Sequence, residues 1–240
     1  LRAACCYAAG RKALPILARL AAPDGSPTLH NIPDAIPAEV AEAIVAAGAR
    51  LDQRNWVPAT AGNLSMRLPG GRVAITRSGF HKARLTPAAL MVVDLDGRPE
   101  QPELRPSAET LLHCGAYRRF PEAGAVLHGH SVANTVLSRL AGDSITLEGY
   151  ELLKAFPGLA THEASVTLPV FDNDQDIARL QGVVEARWAA MNVMPPGYLL
   201  RGHGVYVWGP DMDAALARME ALEFMLDCHL QETLYPRRTA

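Results

Sequence analysis

The chain has 240 residues, 49% of them hydrophobic and 20% charged, the balance of a globular protein long enough to bury a substantial core. Its formal net charge of -2 comes without a basic patch, which excludes the electrostatic footprint of a nucleic-acid binder. No apolar run approaches the roughly 18 residues of a membrane span, and the four cysteines, Cys5, Cys6, Cys114 and Cys228, form no CxxC pair, as expected in a reducing, cytoplasmic compartment.

Residues 1–35 are rich in Ala, Arg and Pro, and their apolar stretch is broken by Pro15 and Arg19. They are expected to be a disordered or non-native extension rather than a targeting signal. One folded domain is expected over 36–240. Val40, Ile44, Ala47 and Leu51 recur at helical spacing behind Pro37. Pro58–Ser65 reads as a loop, Arg72–Thr76 and Leu90–Asp94 as strands closed by turns. Ser107 is expected to cap a helix running to about Phe120, where Pro121 stops it. Ala125–His130 reads as a short buried strand, Val132–Leu140 as a helix, and Gly149–Phe156 as helical. A strand over Val166–Phe171 and an amphipathic helix over Asn173–Met191 follow, the latter with Ile177, Leu180, Val184 and Trp188 on one stripe. Tyr198–Arg201 and Val205–Trp208 read as strands flanking His203. The last helix starts at Asp211 and turns Ala215, Met219, Leu222, Leu226 and Leu230 inward. Helices mixed with hairpin-like strand pairs predict a single α/β domain, with a central mixed or mostly antiparallel sheet flanked by helices.

Three histidines carry the chemistry. In Val126-Leu127-His128-Gly129-His130, strand alternation sends His128 and His130 to one face, where two protonated imidazoles would repel and a shared metal would not. His203 stands between Gly202 and Gly204, and glycine inside a strand pair often marks the close approach of a ligand or backbone. Three protein ligands leave a coordination position open, the pattern of a catalytic zinc site, although imidazoles also suit cobalt, nickel and iron. His81, His113, His162 and His229 read as structural or solvated. Asp172–Asp176 begins like a calcium loop, but Ile177 and Val183 stand where that loop needs glycine and glutamate, so it reads as helix-capping charge.

His128-Gly129-His130 and Gly202-His203-Gly204, together with Thr60-Ala61-Gly62-Asn63-Leu64-Ser65 and Pro106-Ser107-Ala108-Glu109, resemble the class II aldolase/adducin superfamily. The resemblance spans about Ile36 to Leu234. It implies a sheet flanked by helices, one Zn2+ per subunit on the three histidines, a small phosphorylated sugar as substrate, and a homo-oligomer, by resemblance a tetramer, with sites near subunit interfaces. Gly149-Tyr150-Glu151-Leu152-Leu153-Lys154, Thr161-His162-Glu163 and Pro169–Asp176 are similar to a dehydratase branch that removes water from a methylthio-substituted pentulose 1-phosphate in methionine salvage.

That resemblance gives Glu151 the main acid/base role and makes Glu109, which matches the aldolases' proton-transfer glutamate, the second candidate. Each also has a plain reading: Glu151 as a surface partner of Lys154, Glu109 as a first-turn carboxylate favoured by the helix dipole. Gly62, Asn63, Ser78 and Gly79 resemble the superfamily's phosphate loops, Ser107 adds a hydroxyl, and Lys82 a counter-charge. No Walker-type loop is present. Ala108 stands where the sugar-phosphate aldolases often have serine, which weakens an aldolase reading. A sugar-phosphate aldolase or pentulose-phosphate epimerase on the same scaffold remains the first alternative, and a non-catalytic adducin-like interaction module the second.

Overall fold

Pro37 fixes the backbone at the start of helix α1 (Ala38–Gln53), which buries Ala41, Ile44, Ala47 and Leu51 along one stripe, as the periodicity predicts. The structure, a computed structural model, describes residues 36–235, so the expectation for residues 1–35 lies outside the described residues. After α1 come β1 (Asn63–Leu68), β2 (Arg72–Thr76), β3 (Leu90–Asp94), α2 (Thr110–Arg119) and β4 (Ala125–Gly129). The second half contains α3 (Val132–Leu140), β5 (Ser144–Glu148), β6 (Ser165–Phe171), α4 (Ile177–Ala189), β7 (Gly197–Leu200), β8 (Gly204–Gly209) and α5 (Met212–Leu234).

The strands form one eight-stranded sheet in the order β3-β2-β1-β4-β8-β7-β6-β5. Every neighbouring pair is antiparallel except β6–β7. This is the expected mixed, mostly antiparallel sheet. Alternation along the strands divides the core into two layers. Leu64, Ala74, Leu127 and Val207 point toward the face covered by α1, α3 and α5. Val73, Ile75, Val126 and Tyr206 point toward the face covered by α2 and α4. Each buried Leu, Val or Trp side chain contributes about 1.5–3 kcal/mol relative to exposure. Among the described residues no helix is long and apolar enough to cross a membrane.

Four sequence expectations need correction. The loop from Pro58 ends at Gly62, because Asn63–Leu68 pairs between β2 and β4. Its polar Ser65 is fully buried against α2, and the turn-forming Gly62 and Asn63 made the start of the strand read as loop. Ser107 does not cap α2: the helix begins at Thr110, and Ser107 offers its carbonyl to the Thr110 N–H in the turn before it. The segment expected to be helical over 149–156 is a short 3-10 turn, Glu151–Ala155, preceded by the edge strand β5. Helix α4 starts at Ile177 rather than Asn173, because the Asp176 carboxylate accepts the Arg179 N–H and fixes the cap there.

Two features aim the sheet at a site. Strand β4 ends at Gly129, in the middle of the sheet, and α3 begins three residues later behind the Ser131 cap. Its partner β8 begins at Gly204, immediately after the tight turn that holds His203, and Gly129 is registered against Val205. One end of the β4–β8 pair therefore presents all three histidines together.

Candidate metal centre

The three predicted ligands converge: one nitrogen from each of His128, His130 and His203 lies within 4.8 Å of the others. His128 is fully buried and points to the α2 face, where its ring stacks flat on Tyr206. Its Nδ1 lies 2.9 Å from the Val205 carbonyl, which can only accept, so Nδ1 carries the proton and Nε2 keeps its lone pair for the site. The Nε2 atoms of His128 and His130 are buried without a hydrogen-bond partner among the described residues. His203 sits in the β7–β8 turn, with Nδ1 3.3 Å from the Asn173 side-chain oxygen. That contact leaves its Nε2 facing the other two rings.

Orphaned, buried imidazole nitrogens facing one point fit a divalent metal. Burial pushes the imidazole of His130 down to about 4, with His203 adding to the effect, and burial likewise pushes His128 well below its ordinary value. Both rings are neutral near pH 7, the form that ligates. His128, His130 and His203 would hold the ion as a three-nitrogen set, which leaves at least one position open in a tetrahedral site.

Glu109 completes the centre. Its Oε1 lies 2.9 Å from His203 Nε2 and 3.8 Å from His128 Nε2, while Oε2 accepts a 2.6 Å hydrogen bond from the Asn63 amide. Burial alone would raise its carboxyl, but the His203 hydrogen bond and the neighbouring imidazoles hold it down, at about 2. It is ionised at neutral pH and aimed at the point the ligands share.

A cleft of about 430 Å³ opens over this carboxylate and is lined by Gly62, Asn63, Ser78, Gly79, Lys82, Ser107, Glu109, His130 and His203. Every predicted phosphate residue therefore faces one cavity, with fully buried His128 behind it. Two of them have engagements that the sequence did not indicate. The Asn63 amide is directed at Glu109. Lys82 is 1% exposed, and its ammonium donates to the carbonyls of Thr60, at 2.8 Å, and Phe80, at 2.9 Å, which ties the loops carrying those two residues together. Burial lowers the Lys82 amine to about 8, opposed in part by Glu109. Gly62, at φ +80, is more than an ordinary turn residue: a Cβ there would meet the His128 carbonyl at 2.7 Å.

Glu151 is not brought to this cleft. It is exposed and pairs with Lys154, with His162 at 3.7 Å. Leu153 of the same 3-10 turn packs into the layer beneath α5, on the face opposite His128, beside the edge strand β5. Within one chain the two carboxylates lie on opposite faces of the sheet. Asn173 was not among the candidate site residues, and nothing in its local pattern distinguishes it; the β6–α4 loop makes it a partner of His203. A larger cleft of about 820 Å³, lined by Phe120, Met194 and Trp208 among others, lies at the opposite end of β4 and β8 and contains none of the three histidines. Volume without converging ligands makes it the poorer candidate for the chemistry.

Residues 42–230 match the family described as Class II Aldolase and Adducin N-terminal domain. A methylthioribulose-1-phosphate dehydratase from Gluconacetobacter diazotrophicus is 61% identical over 189 residues, which are 78% of this chain and 91% of that protein. A protein of the same name from Granulibacter bethesdensis is 57% identical over 201 residues, 81% of this chain and 92% of its own. Among solved structures, an L-fuculose-1-phosphate aldolase from Thermus thermophilus superposes with a TM-score of 0.66 at 28% identity, covering 82% of this chain and 97% of that one.

Proposed function

The chain belongs to the class II aldolase and adducin family, and from that membership we propose that it acts as a methylthioribulose-1-phosphate dehydratase with a zinc ion on His128, His130 and His203. The identity to dehydratases of that name supports the substrate. The observation that carries the chemistry is the convergence of three imidazole nitrogens within 4.8 Å beside an ionised carboxylate. When bound, the metal supplies Lewis-acid stabilisation of negative charge developing on the substrate's carbonyl oxygen.

The reaction takes a proton from C3 and the hydroxyl from C4 of the ketose phosphate; the resulting enol becomes the 2,3-diketone, and one water leaves. Glu109 is the carboxylate of the cleft, held ionised and oriented by Asn63, so it can accept and return a proton. Backbone amides at Gly62 and Gly79, with the hydroxyls of Ser78 and Ser107, would bind the phosphate, while Lys82 fixes the spacing of the two loops. Glu151, to which the resemblance gives the main acid/base role, would reach a cleft only from another copy of the chain, an arrangement that goes with a homo-oligomer, as in a tetramer, with sites between subunits. The free thiols Cys114 and Cys228 suit a cytoplasmic location.

Product analysis separates this reading from its neighbours on the same scaffold. Loss of one water from 5-methylthioribulose 1-phosphate is expected. Cleavage of a sugar phosphate into two fragments, or an epimer of unchanged mass, with the methylthio substrate left intact, would overturn it in favour of an aldolase or epimerase.

A further inference from the structure

Helix α5 carries one carboxylate in its buried stripe. Glu223 is 3% exposed and shares that face with Met219, Leu222 and Leu226, where leucine would pack without any desolvation cost. Its two oxygens are both engaged by the segment that follows β4. Ser131 donates to Oε2 at 2.5 Å, and the Asn134 amide donates to Oε1 at 2.8 Å. The Ser131 oxygen also accepts the Asn134 N–H at 3.0 Å, as the N-cap of α3, and the Asn134 amide lies 3.4 Å from the Gly129 carbonyl. One turn earlier on α5, Met219 occupies the space beside Gly129, where a Cβ would come within 2.6 Å of its Cε. Met219 and Glu223, four residues apart on one helical face, thus grip the residues immediately before and after His130.

We propose that Glu223 is a positioning residue for the metal centre: from the far face of the sheet, through Ser131 and Asn134, it fixes the backbone from which His130 projects. The His130 N–H is itself held by the Trp56 carbonyl at 2.6 Å, so the ligand's backbone is anchored on both sides and its ring has little freedom. Partners outside the ligand shell typically change metal affinity by about 10–100-fold. Glu223 acts through a neighbour's backbone, so the lower end of that range is expected. The inference rests on the proposed histidine centre but on no particular substrate.

The test uses the full chain loaded with zinc, with affinity read by competition against a chromophoric chelator, and a cobalt-substituted sample for its visible spectrum. Glu223→Leu is expected to bind zinc roughly tenfold more weakly and to shift the cobalt bands, whereas Glu223→Gln, which keeps the side-chain length, can still accept from the Asn134 amide and can donate its own N–H to the Ser131 oxygen, stays within about threefold of the wild type. The double variant Ser131→Ala/Asn134→Ala, which removes both bridging donors while leaving the helix stripe untouched, should follow Glu223→Leu and decides the matter if that variant does not fold. A lower melting temperature of the metal-free variants, with unchanged zinc affinity and cobalt spectrum, would reduce Glu223 to a packing role and overturn the inference. A wild-type protein that holds no divalent metal would overturn the centre itself, and the inference with it.

Discussion

The phenol ring of Tyr206 lies flat beneath the imidazole of His128, with 4.0 Å between ring centroids and 12° between planes. The two residues face each other across the β4–β8 pair, so the sheet register itself creates the stack. Tyr198 continues it one strand further, 4.8 Å from Tyr206. An imidazole that is fully buried, backed by an aromatic ring and hydrogen-bonded through Nδ1 has its direction fixed by the fold itself.

The Tyr206 hydroxyl is buried without a partner among the described residues, so the ring rather than the oxygen is what His128 needs. Tyr206→Phe should leave zinc affinity unchanged and alter stability by less than about 1 kcal/mol, since it removes an unsatisfied polar atom. Tyr206→Ala should cost about 3–5 kcal/mol in urea unfolding and weaken zinc binding as well. Equal zinc affinity in the alanine variant would show that the stack does not hold the ligand.

Gly204 is the position at which a single methyl group should damage the centre. A Cβ there would stand 2.4 Å from the Gly129 carbonyl and 2.8 Å from His128 Cε1. Gly204→Ala is expected to destabilise the protein by about 1–3 kcal/mol through overpacking and to lower zinc content in elemental analysis. A folded alanine variant with full zinc occupancy would mean that the strands can separate to accommodate it.

The two carboxylates can be told apart by separate substitution and by mixing. Glu109→Gln should keep the metal and lose turnover by roughly 10²–10⁴. If Glu151 acts from a second copy, Glu151→Gln should show a comparable loss, and oligomers reassembled from the two variants should regain activity at sites that receive both native carboxylates. Near-normal turnover in Glu151→Gln alone would confine Glu151 to its surface pair with Lys154.

Acidification should weaken the fold through His113. This ring is fully buried, 2.8 Å from the Ser65 hydroxyl, and burial pushes it down to about 4, partly opposed by Glu109. Because the folded value lies below the unfolded value of 6.5, the unfolded state binds the proton more readily between the two. The stabilisation is therefore complete above pH 6.5 and is lost as pH falls toward 4, by about 3 kcal/mol in all. Glu223, raised to about 7 by burial against its bonds to Ser131 and Asn134, tilts the opposite way, its stabilisation fading as pH rises from 4.5 toward 7. The comparison of wild type with His113→Gln isolates the histidine: in chelator, the variant should show the shallower fall in unfolding free energy between pH 7 and 4.5. Parallel curves would contradict the assignment.

The clustering of the three histidines was legible in the sequence because their signal is local. Strand alternation alone places His128 and His130 on one face, and the glycines around His203 announce a crowded backbone. The strands β2 and β3 were legible for the same reason, as apolar runs between turns. Strand β1 was not, because its inward Ser65 satisfies His113 and Tyr117 from α2, which no local pattern reveals. Asn173 and Tyr206 escaped for a related reason: each meets its histidine only through sheet order and register. Ser107 reads as a cap by type, but its oxygen receives only 3.4 Å contacts from Glu109 N–H and the Asn63 amide, within the cleft.

The most direct test follows the mass of the product as metal is removed and restored. Purified protein should convert 5-methylthioribulose 1-phosphate to a compound lighter by one water when loaded with zinc, lose that activity when stripped by chelator, and regain it on reloading. His130→Ala should show neither bound zinc nor product. Undiminished water loss by the stripped protein, or by His130→Ala without metal, would contradict a reaction built on His128, His130 and His203.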